Sequence, residues 1–226
     1  MLRDNSKRAR QTIVMFWAII LVLVLALLHD MLTLLFSGTA NALISDFLAI
    51  SLLFVGVAQV LTVILGTVYF LQWFRRAYLN LRLAGQYTEL TDGWAVGAWF
   101  VPFLNLVRPY SIMKEVWHGT LEMAGRSRPH TVVGWWWVLY LLYTILTRTS
   151  QRYALRASTP SDEENALIFD IIACVFAIIS AVLTIQVVQS VSDAEQEAAA
   201  RLQVDTLGGP VPEPDDLLLG EQESYA

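Results

Sequence analysis

The sequence predicts an all-α polytopic membrane protein with about four transmembrane helices plus a re-entrant or interfacial amphipathic element, and three observations predict it. Hydrophobic residues make up 56 % of the chain and charged residues only 15 %. Four apolar stretches each approach or exceed the roughly 20 residues that a helix needs to cross about 30 Å of hydrocarbon. Lys and Arg gather on alternate connections between those stretches. This composition excludes a soluble, disordered or nucleic-acid-binding chain. The net charge of −5 is misleading, because nine acidic residues and one arginine lie between Ser190 and Ala226, which leaves the rest of the chain positive.

The chain divides into a basic cytoplasmic N-terminus (1–11), a transmembrane helical domain (12–190) and an acidic cytoplasmic tail (191–226). The first span, about 12–36, follows Arg3, Lys7, Arg8 and Arg10. It is longer than the apolar region of a cleaved signal peptide, which covers about 7–15 residues, although Ala40-Asn41-Ala42 resembles a small-x-small cleavage site. The second span, about 43–74, ends against Arg75-Arg76, with Trp73 and Phe74 at the expected headgroup depth. A short third span covers 131–147, where Trp135-Trp136-Trp137 reads as a headgroup anchor. The fourth covers 166–188, after the turn-like, acidic stretch 158–165. The tail continues as helix through about Leu202 and is expected to be disordered from Gly208 on.

Residues 93–119 form the element that does not fit a span. The apolar part, Trp94 to Val107, extends only about 21 Å as a helix. Lengthening it would bury Pro102, Asn105, Arg108 and Pro109 together, and a central arginine alone costs about 2.5–3.5 kcal/mol. A complete crossing is therefore disfavoured. From Pro109, the residues Ile112, Met113, Val116 and Trp117 recur at helical spacing opposite Arg108, Ser111, Lys114, Glu115 and His118, as in an amphipathic interfacial helix. With four spans, twelve of the fifteen basic residues fall on one side, which places both termini in the cytoplasm.

The strings Arg76-Ala77-Tyr78-x-Asn80-Leu81, Gly93-Trp94-Ala95-Val96, Trp99-Phe100-Val101-Pro102, Asn105-Leu106-Val107-Arg108-Pro109 and Glu115-Val116-Trp117 resemble the bacterial membrane-protein family catalogued as domain of unknown function 4328. The resemblance covers about residues 45–190, with Gly134-Trp135-Trp136 as a weaker echo. It implies bacterial origin and residence in the plasma membrane, and no activity.

Arg76, Asn80, Asn105, Arg108 and Glu115 form the candidate polar cluster of this motif. One reading is a cytoplasmic-facing site for an anionic lipid phosphate; the other is a set of tethers between the central element and span two. His29-Asp30 reads as an interfacial pair. The lone Cys174 excludes an intramolecular disulfide and no thiolate metal site is expected; the three histidines show no ligand spacing. No cofactor or catalytic motif is found, so no catalytic residue is assigned. The expected function is a non-enzymatic interaction or envelope-associated module. The alternatives are an oligomeric transporter or channel using Asp46, Gln59 and Asp170, and a lipid-binding or lipid-modifying protein. Expected partners are the lipid bilayer, an anionic lipid, and a second copy or another membrane protein.

The topology has a direct test once Cys174 is replaced. A cysteine at Ser37 should react with a membrane-impermeant reagent in intact cells, and one at Ser224 should not. Labelling at Ser224 without permeabilisation would mean an odd number of crossings.

Overall fold

The computed structural model describes residues 2–36 and 41–207. The expected disordered tail from 208 onward lies outside the described residues. The described chain is all helix and turn: α1 (Ser6–Leu35), α2 (Ala42–Leu83), the short α3 (Trp94–Gly97), a 3₁₀ turn at Leu104–Leu106, α4 (Arg108–Met123), α5 (Thr131–Arg156) and α6 (Pro160–Leu207).

Local chemistry sets several boundaries. The Asn41 side chain accepts from Ile44 N–H at 3.0 Å and starts α2. At α6, Thr159 and Asp162 cap each other: Asp162 Oδ2 accepts from Thr159 N–H at 3.0 Å, and Thr159 Oγ1 accepts from Asp162 N–H. α2 and α4 both end on a glycine with positive φ, Gly85 (+75°) and Gly125 (+64°), and the next residue closes the turn back onto the helix: Gln86 N–H to Leu81 O and Arg126 N–H to Leu121 O.

Three helices, α1, α2 and α6, are long and apolar enough to cross a membrane. α5, expected as the short third span, does not reach that apolarity. Its Gly134, its threonines and tyrosines, and Arg148, Arg152 and Arg156 dilute the Trp, Leu and Val. The most apolar stretch of α2 is not buried within the protein at all, and Leu53, Phe54, Val57 and Leu61 are all exposed, as suits lipid-facing side chains.

The long helices pack in an arc rather than a closed ring: α1 lies against α2 and α6, and α6 against α5. α2 and α5 form the two open edges. α4 crosses the basic end of the arc, where α1 begins and α2 and α6 run out, and packs on α6, α2 and α5.

The core is concentrated at that basic end. Trp73, Phe74, Tyr78, Ile112, Met113 and Val188 are among its fully buried side chains. Phe70 sits at its centre, with ring centroids 5.6 Å from Phe74, 5.7 Å from Trp73 and 5.7 Å from Trp99. Two expectations are corrected here. The apolar face of α4 is covered by protein rather than by lipid, because α2, α5 and α6 all converge on it. Of the tryptophan triplet, only Trp135 is exposed (59 %). Trp136 donates to Thr184 Oγ1 at 2.9 Å and Trp137 to Leu106 O at 3.1 Å, so these two are interior ties between elements.

Residues 94–107 contain no helix long enough to cross. Trp99 anchors this segment between Phe70, Trp137 and Tyr140, while Phe100, Phe103 and Val107 point outward with 70 %, 84 % and 62 % exposure. The peptide turns sharply at Phe103, the one described non-glycine residue with positive φ (64°).

The crossing of α2 and α4 is tight: a Cβ on Gly119 would stand 2.8 Å from Leu81 Cδ2. Gly119→Leu should therefore overpack the joint and cost about 1–3 kcal/mol. The check is a melting temperature lowered by several degrees in detergent, against an unchanged value for Leu at exposed Lys114.

Candidate functional site

The motif residues do not meet at one point. They divide between the two sides of α2. On one side, Tyr78 Oη donates to Glu115 Oε2 at 2.7 Å and accepts from Leu90 N–H at 3.1 Å; Glu115 Oε2 also accepts from Glu89 N–H. Arg108 Nη1 donates to Glu89 Oε1 at 2.6 Å. Arg75 and Arg82 both engage Asp92, at 3.0 and 3.2 Å. These contacts pin the 84–93 connection between α2 and α4, with Arg108 and Glu115 at its two edges. Asn105 is half-buried beside this group, and its N–H bonds to Val101 O.

On the other side, Asn80 is almost fully buried and its carboxamide pairs with both backbone groups of Arg3: Oδ1 accepts from the N–H at 3.0 Å and Nδ2 donates to the C=O at 2.9 Å. The same Nδ2 donates to Glu195 Oε1 at 2.8 Å, and Asn5 Nδ2 donates to Glu195 Oε2 at 3.1 Å and to Trp73 O. One buried carboxylate thus joins the N-terminal segment, the end of α2 and the end of α6.

Neither Asn5 nor Glu195 stands out in the sequence, where Glu195 belongs to a run of acids and alanines that reads as solvated. The available signal was the spacing Val188, Val191, Glu195, Ala198, which continues the buried stripe of α6 past the apolar span.

Arg76 is half-exposed at this end, and the charges of Arg8, Arg3 and Arg75 all act on it, opposed by Asp4. The Ser6 N–H donates to Asp4 Oδ1 at 2.9 Å and holds that carboxyl below the usual carboxylate range. On α4, His118 Nε2 lies 3.2 Å from His130 Nδ1; burial, with the neighbouring His130 charge, holds the His118 imidazole below its ordinary value.

A second constellation lies at the opposite end of the helices. His29 and Asp30, expected as interfacial, are both buried in the bundle. His29 Nδ1 lies 2.9 Å from Ser51 Oγ. Asp30 faces Asp170 of α6, and Ser150 of α5 lies beside Asp170. Among the described residues, no lysine or arginine forms a salt bridge with either carboxyl, and Asp30 Oδ2 has no hydrogen-bond partner.

These two acids line a crevice of about 820 Å³ between the open edges α2 and α5. Its walls mix Gln59, Thr147 and Gln151 with Leu52, Val60 and Leu167. Gln59 and Asp170 thus share one cavity, whereas Asp46 is exposed near the start of α2 and does not line it.

Val63 and Tyr143 also line a second, apolar chamber of about 160 Å³, bounded by Phe70, Trp99, Trp136 and Tyr140. The two spaces therefore adjoin across Val63 and Tyr143. One is polar and acidic, the other mostly hydrocarbon and aromatic, with Thr67, Ser180 and Thr184 also on its wall.

A family model described as Domain of unknown function (DUF4328) matches residues 39–193, more than half of the chain. No curated protein and no solved structure matches it.

The Glu195 junction yields a prediction. Both carboxylate oxygens accept from amide N–H donors. Glu195→Gln must therefore turn an NH₂ toward one of those donors, at about 1–3 kcal/mol for the unsatisfied buried groups. Rotating the Asn5 amide does not recover this, because Asn5 Nδ2 would then leave Trp73 O. A lowered melting temperature in detergent, with unchanged helix content by circular dichroism, is expected.

Proposed function

The chain belongs to the DUF4328 family, and we propose that it is a bacterial plasma-membrane protein, crossing four times with both termini cytoplasmic, that acts as a non-enzymatic binding module for amphiphilic cations. In this topology the Asp30–Asp170 end lies at the outer leaflet. The supporting observation is the adjacency of the acidic crevice and the apolar chamber across Val63 and Tyr143. A cationic or amine-bearing head suits two carboxyls that lack a basic partner. Its hydrocarbon chain suits a chamber walled by Phe70, Trp99 and Trp136.

The open arc supports lateral entry. Because α2 and α5 stand apart, an amphiphile reaches the crevice from within the leaflet without leaving hydrocarbon. The aromatic layer around Phe70 and the α4 cap stand between this site and the basic end, which favours a binding site over a continuous pore.

A second reading concerns the cytoplasmic face, where the convergence of Arg3, Arg8 and Arg75 on Arg76 favours contact with anionic headgroups. Asn80, Asn105, Arg108 and Glu115 would then serve as tethers that hold the face in shape, while Arg76 meets the phosphate.

Trp99 and Trp136 provide the readout for the principal proposal. A brominated long-chain alkylamine added to the protein in phosphatidylcholine nanodiscs should quench tryptophan fluorescence saturably. Asp30→Asn combined with Asp170→Asn should weaken that binding roughly tenfold, or about 1.4 kcal/mol. Equal quenching by a brominated fatty acid of the same length, or an unaltered titration in the double variant, would refute the cation reading.

A further inference from the structure

Behind the two acids of the crevice lies one more group, buried within the bundle. Cys174, the sole cysteine of the chain, follows Asp170 by four residues and so lies on the same face of α6, where Ala173 and Ala177 are also buried. One ligand atom each from Asp30, Asp170 and Cys174 falls within 4.8 Å of the other two. The thiol is 3 % exposed and Asp30 6 %. Asp30 Oδ2 is without a hydrogen-bond partner at this point, an unsatisfied buried oxygen in a protein that otherwise answers its buried carboxylate at Glu195 with two donors.

We propose that Asp30, Asp170 and Cys174 form a binding site for a soft divalent cation of the Zn²⁺ or Cd²⁺ class. Two carboxylates alone would suit Mg²⁺ or Ca²⁺, but those ions call for six or more oxygen ligands and have no affinity for sulfur. A thiolate with two carboxylates fits an ion that accepts four ligands, with the fourth position taken by water from the crevice. The helical i, i+4 pair on α6 supplies two ligands on one rigid element, and α1 supplies the third across the packed interface.

On coordination the thiol proton and the proton shared between the two facing carboxyls leave through the crevice to solvent, and three negative ligands then face a double positive charge. The buried oxygen of Asp30 gains the partner that it lacks. The lone cysteine was not expected to build a thiolate site, because sequence spacing does not bring α1 to α6. This site shares the crevice with the amphiphile reading but not its ligand.

The test uses full-length protein in detergent, stripped with chelator and titrated with Cd²⁺. As Cys174 is the only thiol, an ultraviolet thiolate-to-Cd²⁺ charge-transfer band saturating at one ion per chain is expected. Cys174→Ser should abolish the band. Asp170→Asn should weaken binding by roughly tenfold or more, at least the loss that follows removal of an outer-shell partner. Zn²⁺ should compete with the band and protect Cys174 from a small membrane-permeant alkylating reagent.

Absence of the band, or alkylation at the same rate with and without Zn²⁺, would overturn the proposal, and the protection assay needs no variant that has to fold. Brominated alkylamine binding measured on Cys174→Ser separates the two readings. If it is retained while Cd²⁺ produces no band in the wild type, the metal site fails and the amphiphile site stands.

Discussion

The basic end of this protein is held together by one buried carboxylate. Glu195 of α6 accepts from Asn80 at the end of α2 and from Asn5 before α1, and Asn80 grips the backbone of Arg3 with the same carboxamide. Hydrophobic contact alone does not fix the register of long helices that lie in lipid, because a side chain that slides past another finds equally apolar surroundings. A directional junction does fix it. With α1, α2 and α6 locked at this level, Phe70, Trp73 and Phe74 come opposite the buried faces of α4 and α5, and α4 has a surface on which to seat.

The same constraint explains why the arc remains open at its other end. The dense core and the α4 cap bring α2 and α5 toward each other only where α4 touches both. Beyond Val63 and Tyr143 the crevice lies between the two helices. In water, such an opening lined by Leu52, Val60 and Leu167 would collapse. In a bilayer, the chains of the leaflet fill the gap, so an open edge has no comparable cost. Lateral access to Asp30 and Asp170 is thus a consequence of where the bundle is pinned.

Much of the fold was legible in the sequence because its cues are local. The long apolar runs of α1, α2 and α6, the Pro109 start of α4 and the turn chemistry before α6 all lie within a few residues of what they determine. The short apolar length of Trp94–Val107, with Pro102 inside it and Pro109 just after it, likewise indicated that no helix crosses there. What covers a helix face was not legible. The apolar stripe Ile112, Met113, Val116 and Trp117 looks the same whether it meets lipid or protein, and only the convergence of α2, α5 and α6 decides it. Trp136 and Trp137 mislead for a related reason: an indole N–H is satisfied as well by Thr184 or the Leu106 carbonyl as by a headgroup.

The candidate sites follow the same division. Tyr78, Arg108 and Glu115 lie in the most recognisable part of the chain, and they hold the 84–93 connection in place through partners of ordinary strength. The buried carboxyls without a salt bridge lie elsewhere. Asp30 and Asp170 are 140 residues apart in sequence, and neither position announces the other. Only the packing of α1 on α6 brings them to one place, and among the described residues no lysine or arginine forms a salt bridge with either. A pair of acids with no counter-charge, at the rim of hydrocarbon, has a strong tendency to attract a cation, whereas a well-paired arginine cluster has little left to offer a ligand. The end of the molecule whose buried carboxyls face each other without a salt bridge is therefore the end at which to look for its function.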